Sequence, residues 1–327
     1  MTGTGFARAR VRVTRRLPDP VEARIAANYD AVFNPEDRPL GADALREAFI
    51  AFDAVVPTIT DQIDAGLIET PGRRAGLLAN YGAGVDHIDL AAARAAGVAV
   101  TNTPGALTEA TAELAILLML MAARRAGEGE REVRAGAWTG WRPTHLVGQS
   151  LAGRTLGLIG FGRIAQSTAV RARGLGMQIR YFSRNPAAPE VEASLSATRA
   201  TSVEALVAEA DVISLHVPGG ADTHHLVGTA LLAHAKPSAI LVNTARGSVV
   251  DEAALVIALK TGRISAAALD VYEREPAVSQ GLLDSPRTVL LPHLGSATRE
   301  ARVAMGMQAV DSLDAYFAGR PLSDRVD

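Results

Sequence analysis

The stretch T-L-G-L-I-G-F-G-R-I-A, Thr155 to Ala165, constrains the fold more than any other part of the chain. An apolar run ends at Ile159, a helical pattern opens near Arg163, and G-x-G-x-x-A lies between them at Gly160, Gly162 and Ala165. In such a strand–turn–helix joint Gly160 permits the tight turn. Gly162 lets the backbone approach a pyrophosphate, and a small residue at Ala165 lets helix and strand pack closely. Amides and dipole at the helix start favour an anion. The joint predicts a dinucleotide site in which Gly160, Phe161, Gly162, Arg163 and Ile164 surround the pyrophosphate.

Short apolar runs alternate with helical stretches on both sides of this joint, the pattern of parallel sheets in an α/β protein. Strands are expected at Val11–Thr14, Ala31–Phe33, Ala54–Pro57, Gly76–Asn80 and Val98–Thr101. Six more follow at Thr155–Ile159, Gln178–Phe182, Val212–His216, Ile240–Asn243, Ala266–Leu269 and Val289–Leu291. Helices are expected at Ala42–Phe49, Leu90–Ala96, about Leu107–Arg125 and about Thr298–Phe317. A chain of 327 residues is more than one compact core usually holds, so two domains are expected.

Composition removes several function classes. A net charge of -2 without a long basic run argues against nucleic acid and anionic membranes as partners. The absence of cysteine excludes disulfides, thiol catalysis and cysteine-ligated zinc, and is compatible with the cytoplasm. The first sixteen residues hold five arginines and no acid, which would suit a transit segment, but Arg10–Thr14 alternates like a first strand. The most apolar run, Leu114–Ala123, is too short to span a bilayer and reads as a buried or interface helix. No His/Asp/Glu cluster at ligand spacing is apparent, so no metal is expected.

About twenty residues beyond the glycine turn, a site for NAD would place Asp or Glu on the ribose hydroxyls. This chain reads I-R-Y-F-S-R-N at Ile179–Asn185. Arg184 can pair with a ribose 2′-phosphate, and Ser183 and Asn185 can hydrogen-bond it. The expectation is a preference for NADP(H), with NAD(H) possible; the competing reading is a solvated arginine in a turn.

Further blocks carry a family resemblance: N-Y-G-A-G-V-D-H-I-D at Asn80–Asp89, N-T-P-G-A-L-T-E-A-T-A-E at Asn102–Glu113, N-T-A-R-G at Asn243–Gly247, L-D-V-Y-E-R-E-P at Leu269–Pro276 and P-H-L-G-S-A-T at Pro292–Thr298. With the glycine turn, they resemble the D-2-hydroxyacid dehydrogenase family. Ser183–Asn185 and W-R-P at Trp141–Pro143 are most similar to its glyoxylate/hydroxypyruvate reductases. The resemblance implies two Rossmann-like, doubly wound parallel-sheet domains with a cleft between them. An NADP(H)-binding Rossmann domain, residues 104–295, would be inserted into a flavodoxin-like substrate domain of residues 1–103 and 296–327. It also implies a homodimer formed through the cofactor domains.

Reduction of a 2-oxo acid needs a group to hold the carboxylate, one to polarise the ketone and one to protonate the alkoxide. Arginine suits the first two and histidine the third. The resemblance assigns Arg246 to substrate and His293, one of seven histidines, to the proton. Glu275 becomes the histidine's carboxylate partner, since a carboxylate beside an imidazolium favours the charged form. Glu273, two residues away, is read as solvent-facing. The resemblance also places Ala83 and Gly84 at the substrate carboxylate and Trp141 at a partner's substrate cleft. It places Thr108, Val217, Pro218, Thr223, Thr244, Ala245, Asp270, His293 and Gly295 along the cofactor. Gly219 and Gly220, where many relatives carry a bulkier P-L, could make room for the 2′-phosphate. The implied activity is NADPH-dependent reduction of glyoxylate and hydroxypyruvate to D-2-hydroxy acids. The alternatives are a dehydrogenase of bulkier 2-oxo acids or phosphoglycerate, and a nucleotide-sensing corepressor that binds without turnover.

Overall fold

The computed structural model describes residues 8–327, so the part of the arginine-rich N-terminal segment before Arg8 lies outside the described residues. The fold divides into two units. The first takes the described residues up to Leu107 together with Ala297–Asp327; the second is Thr108–Ser296.

The first unit holds a five-stranded sheet of β1 (Arg10–Val13), β2 (Asp30–Val32), β3 (Ala54–Val56), β4 (Leu77–Ala79) and β5 (Ala99–Thr101). Every pairing is parallel, and the order β2-β1-β3-β4-β5 is that of flavodoxin-like sheets. The helix Arg299–Phe317 closes this unit. Thr298 caps it, its hydroxyl accepting from the Ala301 amide at 3.2 Å, as helix N-termini favour. Arg24 of the helix Asp19–Asn28 bonds Asp311 and Asp314, both at 2.7 Å, and ties the two helices together.

The second unit holds a seven-stranded parallel sheet: β6 (Thr155–Ile159), β7 (Gln178–Phe182), β8 (Ala197–Arg199), β9 (Val212–Leu215), β10 (Ile240–Asn243), β11 (Ala266–Leu269) and β12 (Thr288–Leu290). Its order, β12-β11-β10-β9-β6-β7-β8, winds outward from β6 to β8 and then from β9 to β12. The winding reverses between β6 and β9, and ligands of such sheets bind beyond the strand C-termini at that point. Strands β9, β10 and β11 are buried along their whole length, as sheets covered on both faces require. Leu156 and Leu158 of β6 are fully buried, each contributing roughly 1.5–3 kcal/mol.

The expectation of two parallel-sheet α/β folds is met. Strand and helix ends differ from it by one or two residues, and one strand was missing from it. β8 pairs with β7 at the sheet edge, but its three residues, Ala-Thr-Arg, are too short and too polar to produce a readable alternation.

Candidate active site

The turn after β6 has the geometry its glycines suggest. Gly160 sits at φ 87°, and a Cβ there would lie 2.5 Å from the His216 carbonyl oxygen, so two independent constraints demand glycine. The Phe161 ring is buried and stacks on Tyr181 at 3.9 Å, which leaves only its backbone to the turn. Gly162 precedes the helix Arg163–Gly174, whose first turn carries no acid and begins with the exposed Arg163 and half-buried Ile164. A cation in that position opposes the helix dipole unless an anion comes between them.

A cavity of about 310 Å³ adjoins this helix start and brings Gly162 and Gln166 together with Ser183, Arg184 and Asn185. The Ser183 hydroxyl donates to the Asn185 carbonyl at 2.5 Å. Arg184 lies 3.4 Å from Asp222 with both side chains more than four-fifths exposed (83% and 85%), so this pair holds the guanidinium only weakly. In the loop after β9, the Thr223 hydroxyl donates to the Pro218 carbonyl at 2.7 Å, which folds Val217–Thr223 into a closed turn. Gly220 adopts φ 135° there, a backbone reason for glycine separate from any ligand. Burial pushes the imidazole of His216, at the head of this loop, from 6.5 down to about 4.

Beyond β10, the buried Asn243 side chain closes the next turn. Its oxygen accepts from the Ala245 amide and its nitrogen donates to the Arg246 carbonyl, both at 2.9 Å. The Thr244 hydroxyl is buried without a hydrogen-bond partner, and Arg246 donates to the Ala245 carbonyl at 2.8 Å. A Cβ on Gly247 would overlap the Tyr272 carbonyl, so glycine lets the Arg246 turn press against the segment that carries Glu273 and Glu275.

That segment leaves β11 at Asp270, whose carboxylate is 1% exposed and accepts from the amides of Leu294 (2.6 Å) and Gly295 (2.8 Å). The His293 amide donates to the Asp270 carbonyl at 2.9 Å. Burial pushes the Asp270 carboxyl up, and the two amides and His293 only partly offset it. Three consecutive amides thus hold the His293 turn on Asp270. Thr111, which the sequence reading missed, adds a bond to the Gly295 carbonyl at 2.9 Å.

His293 Nδ1 lies 2.8 Å from Glu275 Oε2, and Glu275 Oε1 accepts from the Tyr272 amide at 3.0 Å. Burial alone would raise the Glu275 carboxyl, but the hydrogen bond and charge of His293, the Tyr272 amide and Arg246 outweigh it, and the net shift is downward. Glu275 is therefore a carboxylate that accepts a proton bond from His293.

One expectation needs correction. Glu273 does not face solvent freely: its Oε1 is 2.7 Å from His225 Nε2, and its side chain is 25% exposed. The backbone from Tyr272 to Glu275 offers the two carboxylates to different histidines. The sequence shows no His/Asp/Glu cluster at ligand spacing, yet the fold gathers His224, His225 and Glu273. Glu273 lies 48 positions beyond His225, so no short ligand spacing could reveal the group.

Other candidates stand apart. Thr108 is the first, half-buried residue of the helix Thr108–Ala123. Trp141 lies outside the sheet in the loop after the helix Ala126–Arg134 and is 83% exposed. In the first unit, side-chain amides engage the carbonyls around Ala83 and Gly84. Asn80 donates to Gly82 and Gly84 at 3.0 Å each, and Asn102 to Ala83 at 2.7 Å. His87 Nε2 lies 3.1 Å from the Asn80 oxygen and fixes the orientation of that amide.

Residues 116–295 match the family model described as the NAD binding domain of D-isomer specific 2-hydroxyacid dehydrogenases. Curated relatives include a glycerate dehydrogenase of Hyphomicrobium methylovorum, 39% identical over 97% of this chain and 99% of its own length. A glyoxylate reductase of Thermococcus litoralis is 43% identical over 95% of this chain and 94% of its own. Among solved structures, an NADPH-dependent glyoxylate/hydroxypyruvate reductase of Sinorhizobium meliloti, in complex with NADP and malonate, superposes with a TM-score of 0.85. It is 34% identical, covering 98% of this chain and 97% of that one.

Proposed function

The chain belongs to the D-isomer specific 2-hydroxyacid dehydrogenase family, and on that premise we propose that it is an NADPH-preferring reductase of glyoxylate and hydroxypyruvate. The family makes it an oxidoreductase of 2-oxo and 2-hydroxy acids. The observation that carries the finer reading is the His293–Glu275 pair at 2.8 Å, with Arg246, on the turn after β10, close enough for its charge to favour the Glu275 carboxylate. The relatives named above support small substrates, and one of them is NADPH-dependent.

The residues present fit a nicotinamide dinucleotide. The Gly160 turn excludes a side chain, the acid-free helix start offers amides and Arg163 to a pyrophosphate, and the orphaned Thr244 hydroxyl is available to a ligand. In this reading Thr108, Val217, Pro218, Thr223, Thr244, Ala245, Asp270 and Gly295 line the remainder of the cofactor. Ser183, Arg184 and Asn185 take the 2′-phosphate. When bound, NADPH supplies the hydride.

The protein's own residues do the rest. Arg246 orients the 2-oxo acid and polarises its ketone. An ionised Glu275 can only accept, so Nδ1 of His293 keeps its proton and Nε2 gives one to the new alkoxide. Asp270 fixes the histidine turn. In the first unit, the Ala83–Gly84 amides receive the substrate carboxylate, with their carbonyls already committed to Asn80 and Asn102.

The reading extends to a cytoplasmic homodimer formed through the second unit. No helix among the described residues is long and apolar enough to cross a membrane. Leu117, Val133, Trp138, Trp141 and Val147 are all between 47% and 83% exposed, a concentration of apolar side chains suited to a second copy. In this reading Trp141 reaches the partner's substrate. A steady-state panel of NADPH and NADH, each with glyoxylate, hydroxypyruvate, pyruvate and phenylpyruvate, tests the whole assignment. Fastest turnover with NADPH and the two small acids supports it, and a better rate with phenylpyruvate or NADH contradicts it.

A further inference from the structure

We propose that His224, His225 and Glu273 form a binding site for a borderline divalent cation, with zinc the best match to the donor set. Two imidazoles and one carboxylate favour zinc and its neighbours over magnesium or calcium, which prefer all-oxygen shells. One ligand atom from each residue can be chosen so that all lie within 4.8 Å of one another. Zinc with bonds of about 2.0–2.1 Å needs ligand atoms roughly 3.3 Å apart, so closure takes about an ångström of side-chain movement. The exposed His224 is free to make it.

The backbone is arranged for this convergence. Adjacent side chains normally diverge, but His225 adopts φ 52°, and its ring stacks on that of His224 at 3.9 Å and 25°. The left-handed region is a strained one for a non-glycine residue. His225 Nε2 already lies 2.7 Å from Glu273 Oε1, a contact in which a metal ion would replace the shared proton. Both sides are anchored from behind: the His225 amide donates to the Ser248 carbonyl at 2.8 Å, and the Glu273 amide to the buried Glu252 carboxylate at 2.8 Å. An ion here clasps the Val217–Leu226 loop to the segment that also carries Glu275. It leaves a fourth position for water, as three-ligand zinc sites do.

The test is a zinc titration of tag-free, chelator-stripped protein against a chromophoric competitor, with the thermal midpoint read in parallel. With no cysteine in the chain, background uptake falls on histidine and carboxylate alone. The wild type should take up one zinc per chain and melt at higher temperature with zinc present. His224→Ala and Glu273→Gln should each bind at least about tenfold more weakly and lose the shift, since first-shell ligands matter no less than the outer-shell partners that cost 10–100-fold. His293→Ala should bind as the wild type does. The proposal is overturned by absence of stoichiometric uptake, by undiminished uptake in His224→Ala, or by loss of uptake in His293→Ala, which would put the ion on the Glu275 pair.

Discussion

His293 Nδ1 meets Glu275 Oε2 at 2.8 Å from a backbone held at φ 55°, a left-handed conformation in which the Asp270 carbonyl and carboxylate take the amides of His293, Leu294 and Gly295. Such strain costs about 1–3 kcal/mol and persists only where neighbours over-determine it. His293→Ala should therefore keep its fold and its affinity for NADPH while kcat for glyoxylate falls roughly 10²–10⁴-fold. Glu275→Gln should lower kcat less. An undiminished kcat in His293→Ala would remove it from the proton-transfer role.

Arg184 tests cofactor choice. Charge-assisted hydrogen bonds contribute about 1.5–3 kcal/mol, so Arg184→Ala should raise KM for NADPH by roughly 10–100-fold and leave NADH nearly unchanged. Its exposed pair with Asp222 contributes about 0–1 kcal/mol, so the melting temperature should hardly move. Equal losses with both cofactors would refute the 2′-phosphate assignment.

The Ala83–Gly84 loop makes a separate prediction. Asn102→Ala removes the 2.7 Å bond to the Ala83 carbonyl and should raise KM for glyoxylate by about tenfold, the value of one hydrogen bond. NADPH affinity should stay constant. Titration of NADPH fluorescence beside steady-state kinetics separates the two, and unchanged KM would free the loop from substrate binding.

His216 sets a stability window. Its imidazole is held near 4 against an ordinary 6.5, so the fold favours the neutral form. Above 6.5 both states are neutral and its contribution is complete. As pH falls toward 4, the unfolded chain takes up the proton and the folded one does not, so stability declines by about 3 kcal/mol. Urea midpoints on either side of this window should fall further for the wild type than for His216→Gln. Equal declines would show that other groups carry the acid sensitivity.

The apolar face makes a prediction about assembly. Leu117 is 47% exposed in the middle of the apolar stretch of the helix Thr108–Ala123. Light scattering should find a dimer for the wild type and a monomer for Leu117→Arg. A monomeric wild type at all concentrations would contradict the interface.

The parts of the fold and site that were readable in the sequence are those encoded locally. Thr155–Ala165 carries its strand, turn and helix start in eleven consecutive residues, and Arg246, Glu275 and His293 each sit in a short block after a buried strand. What escaped depends on pairing across distance. Glu273 looks like a surface residue until His225, 48 positions away, is brought beside it. Thr111 meets Gly295 across 184 positions, and edge strand β8 owes its existence to β7 more than to its own three residues. The hand of His225 and His293 is also invisible in sequence, because a positive φ at a non-glycine residue is imposed by tertiary contacts.

The most direct test of the account is the initial rate of NADPH consumption with glyoxylate, measured side by side for the wild type and His293→Ala at saturating cofactor. Rapid consumption by the wild type and a loss of roughly 10²–10⁴-fold in the variant are expected, with NADPH affinity preserved in both. Tight NADPH binding without turnover by the wild type, or equal rates in the two proteins, would contradict it.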